Sequence, residues 1–191
     1  MTPKLIIGTK SEARLELLRS IGLKFISVEA NVKEDILEDP IETIKSNTYK
    51  KYRYLLGEGY HGIICTFDTI VYKDGSIIGK PNSAEDAFKI LRELSGGSHY
   101  VYTGIGVGNG EIWVFDYEST EVYMDNLGDD IINWYIGKDE YVGAAGGYRI
   151  QGYASLFIVK IVGDYYNVVG IPIHKFFELL EGFGIKYHEI L

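Results

Sequence analysis

Ile63-Ile64-Cys65-Thr66-Phe67-Asp68-Thr69-Ile70-Val71-Tyr72 is the stretch on which the fold turns. Its β-branched and aromatic residues predict a strand, and so long an apolar run predicts one buried on both faces. Lys73-Asp74-Gly75-Ser76 follows as a turn signal, and Ile77-Ile78 then predicts the return strand of a hairpin. Upstream stands a well-marked helix. Asp39 caps it, Pro40 takes its first position and Glu42 completes a reciprocal cap. It is expected to run to about Leu56 and to stop at Gly57 or Gly59.

Working outward, Lys4 to Ile7 reads as a short buried strand, followed by a turn at Gly8-Thr9-Lys10. Ser11 then opens an amphipathic helix with an apolar stripe of Leu15, Leu18 and Ile21, stopped by Gly22. Lys24 to Val28 predicts a second strand, and Glu29 to Glu38 a charged loop. Ser83, with Asp86 three residues on, caps a third helix that ends near Ser95-Gly96-Gly97. Two β-rich runs follow, His99 to Val107 and Glu111 to Met124, joined by Gly108-Asn109-Gly110. Asp129 to Ile136 reads as helix, Val142 to Tyr153 as a glycine-rich loop, and Ser155 to Val162 as strand. Tyr166 to Val169 is expected to be a further strand, and Pro172 opens a last helix. Helices alternate with strands, yet some strands are joined by hairpins. The fold class is therefore α/β, a mixed twisted sheet flanked by helices rather than a purely parallel one.

The 191 residues suit one domain, 1–191, with room for two lobes around a cleft. A single cysteine, Cys65, excludes an internal disulfide and a cysteine-rich zinc site and fits a reducing compartment. The N-terminus, Met1 to Gly8, carries an apolar run of about four residues, too short for a secretory signal core, and no stretch approaches the roughly 18 apolar residues of a membrane span. A cytoplasmic protein without a membrane partner is expected. The formal charge of −8 argues against nucleic acid as a partner, though local cations still admit a small anionic substrate.

Four constellations could carry chemistry. Ser11 and Arg14 stand at a helix N-terminus, where free N–H groups and a guanidinium fork suit phosphate; a capping Ser11 and a solvated Arg14 are the plainer alternative. Asp68 is a carboxylate in an apolar strand, costly unless it lies at the strand end, is paired, or binds a metal. Gly79-Lys80-Pro81 offers a lysine on a fixed turn. Gly146-Gly147-Tyr148-Arg149-Ile150-Gln151-Gly152 offers close backbone approach and, in Gln151, a side chain that both donates and accepts toward a base edge. Asp68 does not begin a haloacid-dehalogenase-type motif, because Ile70 stands where the second Asp is needed. Gly104, Gly106, Gly108 and Gly110 alternate strictly and miss the dinucleotide fingerprint, and there is no Walker A motif.

Together these segments resemble the Maf family, the septum formation inhibitor-like proteins. Ile7 to Leu18 is similar to the family's opening Leu-Ala-Ser-x-Ser-Pro-Arg-Arg-x-x-Leu-Leu, with Ser11 and Arg14 kept and Ala13 in place of the first Arg. Asp68-Thr69-Ile70-Val71, Gly79-Lys80-Pro81 and the run from Leu94 through His99 to Gly104 follow in the family's order. So do Ala144 to Gly152, where Ala144 replaces a Lys, and Tyr165 to Pro172.

The resemblance implies an architecture like that of the inosine triphosphate pyrophosphatases. It implies hydrolysis of a nucleoside triphosphate to the monophosphate and pyrophosphate, with Mg²⁺ or Mn²⁺ as cofactor and often a homodimer. It places the catalytic carboxylate at Asp68 and a second metal-holding acid at Glu34. Phosphate contacts fall on Ser11, Arg14, Lys80 and Lys50, or on Lys51 if the register slips by one. Thr69 and Gln151 match the branch acting on dTTP and UTP, while Ala13 departs from it and leaves modified pyrimidines open. A nucleotide-binding regulator of division with weak catalysis and a pyrophosphatase for deaminated purine nucleotides are the rival readings.

Overall fold

A computed structural model describes residues 4–191; Met1, Thr2 and Pro3, which precede the apolar run weighed as a signal core, lie outside the described residues. The elements are β1 (Leu5–Gly8), α1 (Glu12–Ser20), β2 (Ile26–Val28), α2 (Pro40–Gly57), β3 (Ile63–Lys73), β4 (Ser76–Ile78) and α3 (Ala84–Leu94). Then come β5 (Ser98–Gly108), β6 (Trp113–Met124), α4 (Asp129–Ile136), β7 (Ile158–Val162), α5 (Tyr165–Val169), α6 (Ile173–Glu181) and α7 (Tyr187–Ile190). The seven strands form one mixed sheet in the order β2-β1-β3-β5-β6-β7, with β4 on β3. β1 pairs parallel with both β2 and β3, whereas β3–β4 and β6–β7 are antiparallel. No helix among the described residues is long and apolar enough to cross a membrane.

The residues group into two compact units. The first takes in the described residues up to Asp68, Thr103–Glu118 and Gly170–Leu191; the second takes in Thr69–Tyr102 and Ser119–Val169.

In the first unit the period of two along β1 and β3 assigns each side chain its layer. Ile7, Cys65 and Phe67 pack with Leu15 and Leu18 of α1 and Phe176 and Leu180 of α6. Ile6 and Ile64 point the other way, against Tyr52 and Leu55 of α2. On that second face of β3, Thr66 donates its hydroxyl hydrogen to the Thr48 carbonyl at 2.9 Å. Asp68 comes next in the same series. The alternation that buries Ile64 therefore also turns the carboxylate toward α2.

The alternating glycines of β5 explain how α2 comes so close. A Cβ at Gly104 would lie 3.2 Å from Ile44 Cβ, one at Gly106 would lie 2.9 Å from Thr66 Oγ1, and one at Gly108 would lie 2.6 Å from the Tyr52 ring. Gly104 and Gly108 thus leave room for α2, and Gly106 leaves room for the Thr66 side chain of β3.

α2 itself is capped as expected in its forward half: Asp39 Oδ1 accepts from the Ile41 and Glu42 N–H groups, each at 2.8 Å. Glu42 turns its carboxylate to Lys45 at 3.5 Å.

In the second unit, Val71, Ile78, Leu91, Leu94, Val101, Val122, Ile132 and Tyr135 form the core. Ser83 caps α3 by accepting from the Asp86 N–H at 3.1 Å. Asp74 and Gly75 both take positive φ at the β3–β4 turn, 49° and 84°, as a tight hairpin requires.

Two expectations are corrected here. Tyr166 to Val169 is helix α5, not strand: Asp164 Oδ1 accepts from the Tyr166 N–H at 2.8 Å and starts a turn. Asn167 then uses its buried carboxamide on the Val101 carbonyl and Thr120 Oγ1, both at 2.9 Å. β7 begins at Ile158 rather than Ser155, because Tyr153–Leu156 coils into a 3₁₀ turn. The short α7 was not anticipated.

Candidate active site

Asp68 is 3% exposed and lies at the end of the first unit's part of β3. Burying a lone carboxylate is costly, so its oxygens must be satisfied. Lys51 of α2 supplies one partner, with Nζ 2.8 Å from Asp68 Oδ1. Asn47, one turn earlier, supplies the other by donating from Nδ2 to Asp68 Oδ2 at 2.9 Å.

The Lys51 ammonium is a hub. It also donates to the Phe67 carbonyl at 3.0 Å and stands 2.7 Å from Glu34 Oε1. Two carboxylates and a backbone carbonyl thus converge on one cation. Lys51 is 8% exposed, so this charge cluster is shielded from bulk water on its α2 side.

Glu34 comes from the segment between β2 and α2, which forms no regular element of its own. A polar stripe on α2 holds that segment. Thr43 Oγ1 accepts from the Leu37 N–H at 3.0 Å, and Ser46 Oγ donates to Asp35 Oδ2 at 3.3 Å. Asn47 Oδ1 accepts from the Asp35 N–H at 2.8 Å, while its Nδ2 donates to the Asp35 carbonyl at 3.1 Å. Lys50 forms a short ion pair with Asp35 Oδ2. That ammonium holds the Asp35 carboxyl below its usual range, as hydrogen-bond partner and as charge.

Positions 43, 46, 47, 50 and 51 therefore share one helical face at i, i+3, i+4, i+7 and i+8. The two adjacent lysines divide the work: Lys51 reaches Asp68 and Glu34, and Lys50 reaches Asp35.

Arg14 projects from α1. Its Nε donates to the Gly170 carbonyl at 2.8 Å, its Nη1 contacts Thr9 Oγ1 at 3.3 Å, and its guanidinium lies over the Phe67 ring, 5.8 Å from the centroid. Burial pulls its pKa down, opposed by the negative charges of Asp68 and Glu34. Ser11 is the N-cap residue of α1, but its side chain makes no capping bond; its N–H donates to Thr9 Oγ1 at 3.2 Å. The structure thus gathers Glu34, Asp68 and Lys51, with Arg14 in electrostatic reach. Ala13 is half-buried on α1.

The remaining sequence candidates belong to the second unit. Thr69 is half-buried in β3, and Lys80 and Gln151 are exposed. The glycine-rich loop is fastened to the Gly79-Lys80-Pro81 turn, since the Gly146 N–H donates to the Gly79 carbonyl at 3.1 Å. Gly146 has φ 71°, and a Cβ there would sit 2.7 Å from Val71 Cγ2, so no other residue fits without strain. Ala144, where the family has Lys, is the N-cap of the short 3₁₀ turn Ala145–Gly147.

Among the described residues no group of three or more His, Cys, Asp and Glu side chains could hold a metal. An all-protein cage is not what Mg²⁺ needs, because it commonly uses one or two carboxylates together with substrate phosphates and water. Glu34, Asp68 and the Phe67 carbonyl are hard oxygen donors already collected around a positive charge. This donor set fits a hard divalent cation.

Comparison with known proteins agrees over the length of the chain. The profile described as "Maf-like protein" matches residues 4–183. The dTTP/UTP pyrophosphatase of Staphylothermus marinus is 40% identical over 186 residues, spanning 95% of this chain and 90% of its own. That of Caldanaerobacter subterraneus is 39% identical over 189 residues, covering 96% and 91%. That of Caldicellulosiruptor bescii is 34% identical over 189 residues, covering 95% of each. A likeness to the structure of the Staphylococcus aureus Ham1 protein has a TM-score of 0.45 at 11% identity, over 63% of this chain and 71% of that one, and adds nothing to the assignment. The chain belongs to the Maf family.

Proposed function

We propose that this protein hydrolyses dTTP and UTP to the monophosphate and pyrophosphate, using the carboxylate pair Glu34 and Asp68 with a divalent cation. The observation that carries the proposal is the buried Asp68 sharing the Lys51 ammonium with Glu34. The names of the relatives supply the substrate.

In this reaction a water oxygen bonds to the α-phosphorus, the bond from that phosphorus to the bridging α–β oxygen breaks, and pyrophosphate leaves. Asp68 orients the water and takes its proton, a role that suits a carboxylate held rigidly on both oxygens. Lys51 faces the charge that builds on the phosphate oxygens. Arg14 and the Ser11 hydroxyl bind phosphate at the start of α1, where the helix dipole favours anions. Lys50 tethers the Glu34 segment through Asp35. A Mg²⁺ or Mn²⁺ ion held by Glu34 and Asp68 would supply Lewis-acid neutralisation of the polyphosphate. Thr69 and Gln151 select the base and Lys80 contacts phosphate, as their motifs imply.

The test is a nucleotide panel of dTTP, UTP, ITP and XTP with Mg²⁺ or Mn²⁺, read as phosphate after added inorganic pyrophosphatase. Turnover of dTTP and UTP is expected, with Asp68→Asn slower by about 10²- to 10⁴-fold. A folded Asp68→Asn protein with full activity refutes the mechanism, and preference for ITP or XTP refutes the substrate.

A further inference from the structure

Asn47 has no part in the motifs that mark this family, yet its side chain bridges two segments of the first unit. It is 2% exposed. Its carboxamide touches three groups: the Asp35 N–H at 2.8 Å, the Asp35 carbonyl at 3.1 Å and Asp68 Oδ2 at 2.9 Å. Only one orientation of an amide serves all three. Oδ1 must accept from the N–H, and Nδ2 must donate to both oxygens. Each end is thereby committed, Oδ1 to the segment carrying Glu34 and Nδ2 to both that segment and the strand carrying Asp68.

The consequence concerns the two carboxylates. Asp35 is the residue after Glu34, so clamping its backbone on both the N–H and the carbonyl fixes where the Glu34 side chain departs. Asp68 Oδ2 held by Asn47 leaves Oδ1 toward Lys51 and Glu34. The neighbours on the stripe, Thr43, Ser46 and Lys50, bind within residues 35–39. Asn47 joins Lys51 in reaching both carboxylate-bearing elements, and it does so through the backbone of Asp35 rather than through the Glu34 side chain.

We infer that Asn47 is a positioning residue that sets the separation and orientation of Glu34 and Asp68, and so determines how well this pair receives a divalent cation. The inference rests on the proposed function for its kinetic part. It stands without it for the cation and the backbone, because neither readout requires turnover.

Asn47→Leu keeps the branched shape of the side chain, with somewhat larger methyls in place of the amide ends, and removes both ends of the bridge. Asn47→Asp keeps an acceptor for the Asp35 N–H and removes the donor to Asp68. Three measurements on the full chain decide the matter: Mn²⁺ binding by electron paramagnetic resonance without nucleotide, amide exchange at residues 33–37, and kcat and KM for dTTP. Thermal unfolding of each variant establishes that it is folded.

Asn47→Leu should weaken Mn²⁺ binding and lower kcat by about 10- to 100-fold, the usual effect of removing a hydrogen-bond partner of a metal-holding group. The KM for dTTP should stay close to wild type, and exchange at Asp35 should accelerate. Asn47→Asp should keep the Asp35 amide protected and still lower kcat, because it no longer holds Asp68 Oδ2 and its like charge pushes that carboxylate out of position. Wild-type Mn²⁺ affinity in folded Asn47→Leu overturns the inference. So does a loss confined to thermal stability, which would make the bridge merely structural. If the wild type turns over no nucleotide, the functional proposal fails, while the cation and exchange results still decide the role of Asn47.

Discussion

Replacing Lys51 by methionine tests the central cluster most directly. Methionine keeps much of the lysine stem's packing and removes the charge. The lost contacts are those to Glu34 Oε1, Asp68 Oδ1 and the Phe67 carbonyl, at 2.7, 2.8 and 3.0 Å. Removing one partner of a buried ion pair costs about 3–5 kcal/mol, because the other charge is left stranded. Asp68 bears most of this, as its side chain is only 4% exposed. The Glu34 side chain is 38% exposed and turns to water, so its share is discounted to below about 1 kcal/mol. Asn47 still holds Asp68 Oδ2, which places the total near the lower end, about 3 kcal/mol.

The variant should also respond to cations. Two carboxylates facing a position without an ammonium attract a divalent ion, and Mn²⁺ at about 100 times its Kd would restore about 2.7 kcal/mol. Urea unfolding of wild type and Lys51→Met, with and without Mn²⁺, measures both effects. Turnover of dTTP should fall by about 10²- to 10³-fold, the range for losing a preorganised group that meets developing charge. A variant within about 0.5 kcal/mol of wild type in the absence of metal refutes the reasoning. Equal Mn²⁺ stabilisation of the two proteins refutes the claim that removing the Lys51 ammonium frees Glu34 and Asp68 for a cation.

Two further outcomes are expected from packing and burial elsewhere in the chain. His99 is 1% exposed, bonds Tyr148 OH through Nε2 at 2.7 Å, and has its pKa lowered from 6.5 to about 4 by burial and the charge of Lys73. Since folding lowers the pKa, its contribution is whole above pH 6.5 and is lost as pH falls toward 4, about 3 kcal/mol in all; urea midpoints over that window should show the slope, and His99→Gln should remove it. Gly108→Ala should cost about 1–3 kcal/mol, because its Cβ would press on a Tyr52 ring whose hydroxyl already accepts from the Gly110 N–H at 2.9 Å. Gly57→Ala, with nothing within 4 Å of the added carbon, is the control and should cost nothing in the same urea assay.

Much of the fold was legible because its signals are local. Asp39, Pro40 and the Asp74-Gly75 turn act on neighbours within a few residues, and each ended up where its chemistry required. The strand reading of Tyr166 to Val169 failed for the opposite reason. Asn167 spends its carboxamide on Val101 and Thr120, 66 and 47 residues away, and an apolar four-residue run carries no trace of those partners. Which of Lys50 and Lys51 reaches Asp68 was open to sequence through helical phase. Ile44, Thr48, Lys51 and Leu55 fall on one buried stripe of α2, and Lys50 does not. Asn47 gave no such signal, since an asparagine in mid-helix is usually solvated and its partners lie 12 and 21 residues off.

Sequence alone determined that Asp68 sits in an apolar strand, where a carboxylate needs a partner, and that a capped helix precedes it. Those facts follow from residue type and spacing along one segment. Tertiary structure alone decided which partner Asp68 has. The close approach of α2 to the sheet relies on Gly104 and Gly108 of β5, where a Cβ would press on Ile44 and Tyr52 of the helix. The pleat of β3 then turns Asp68 to the same side as Thr66, toward Asn47 and Lys51. A contact between groups 17 residues apart depends on how closely two elements pack, and that distance is set by the side chains, or their absence, on a third.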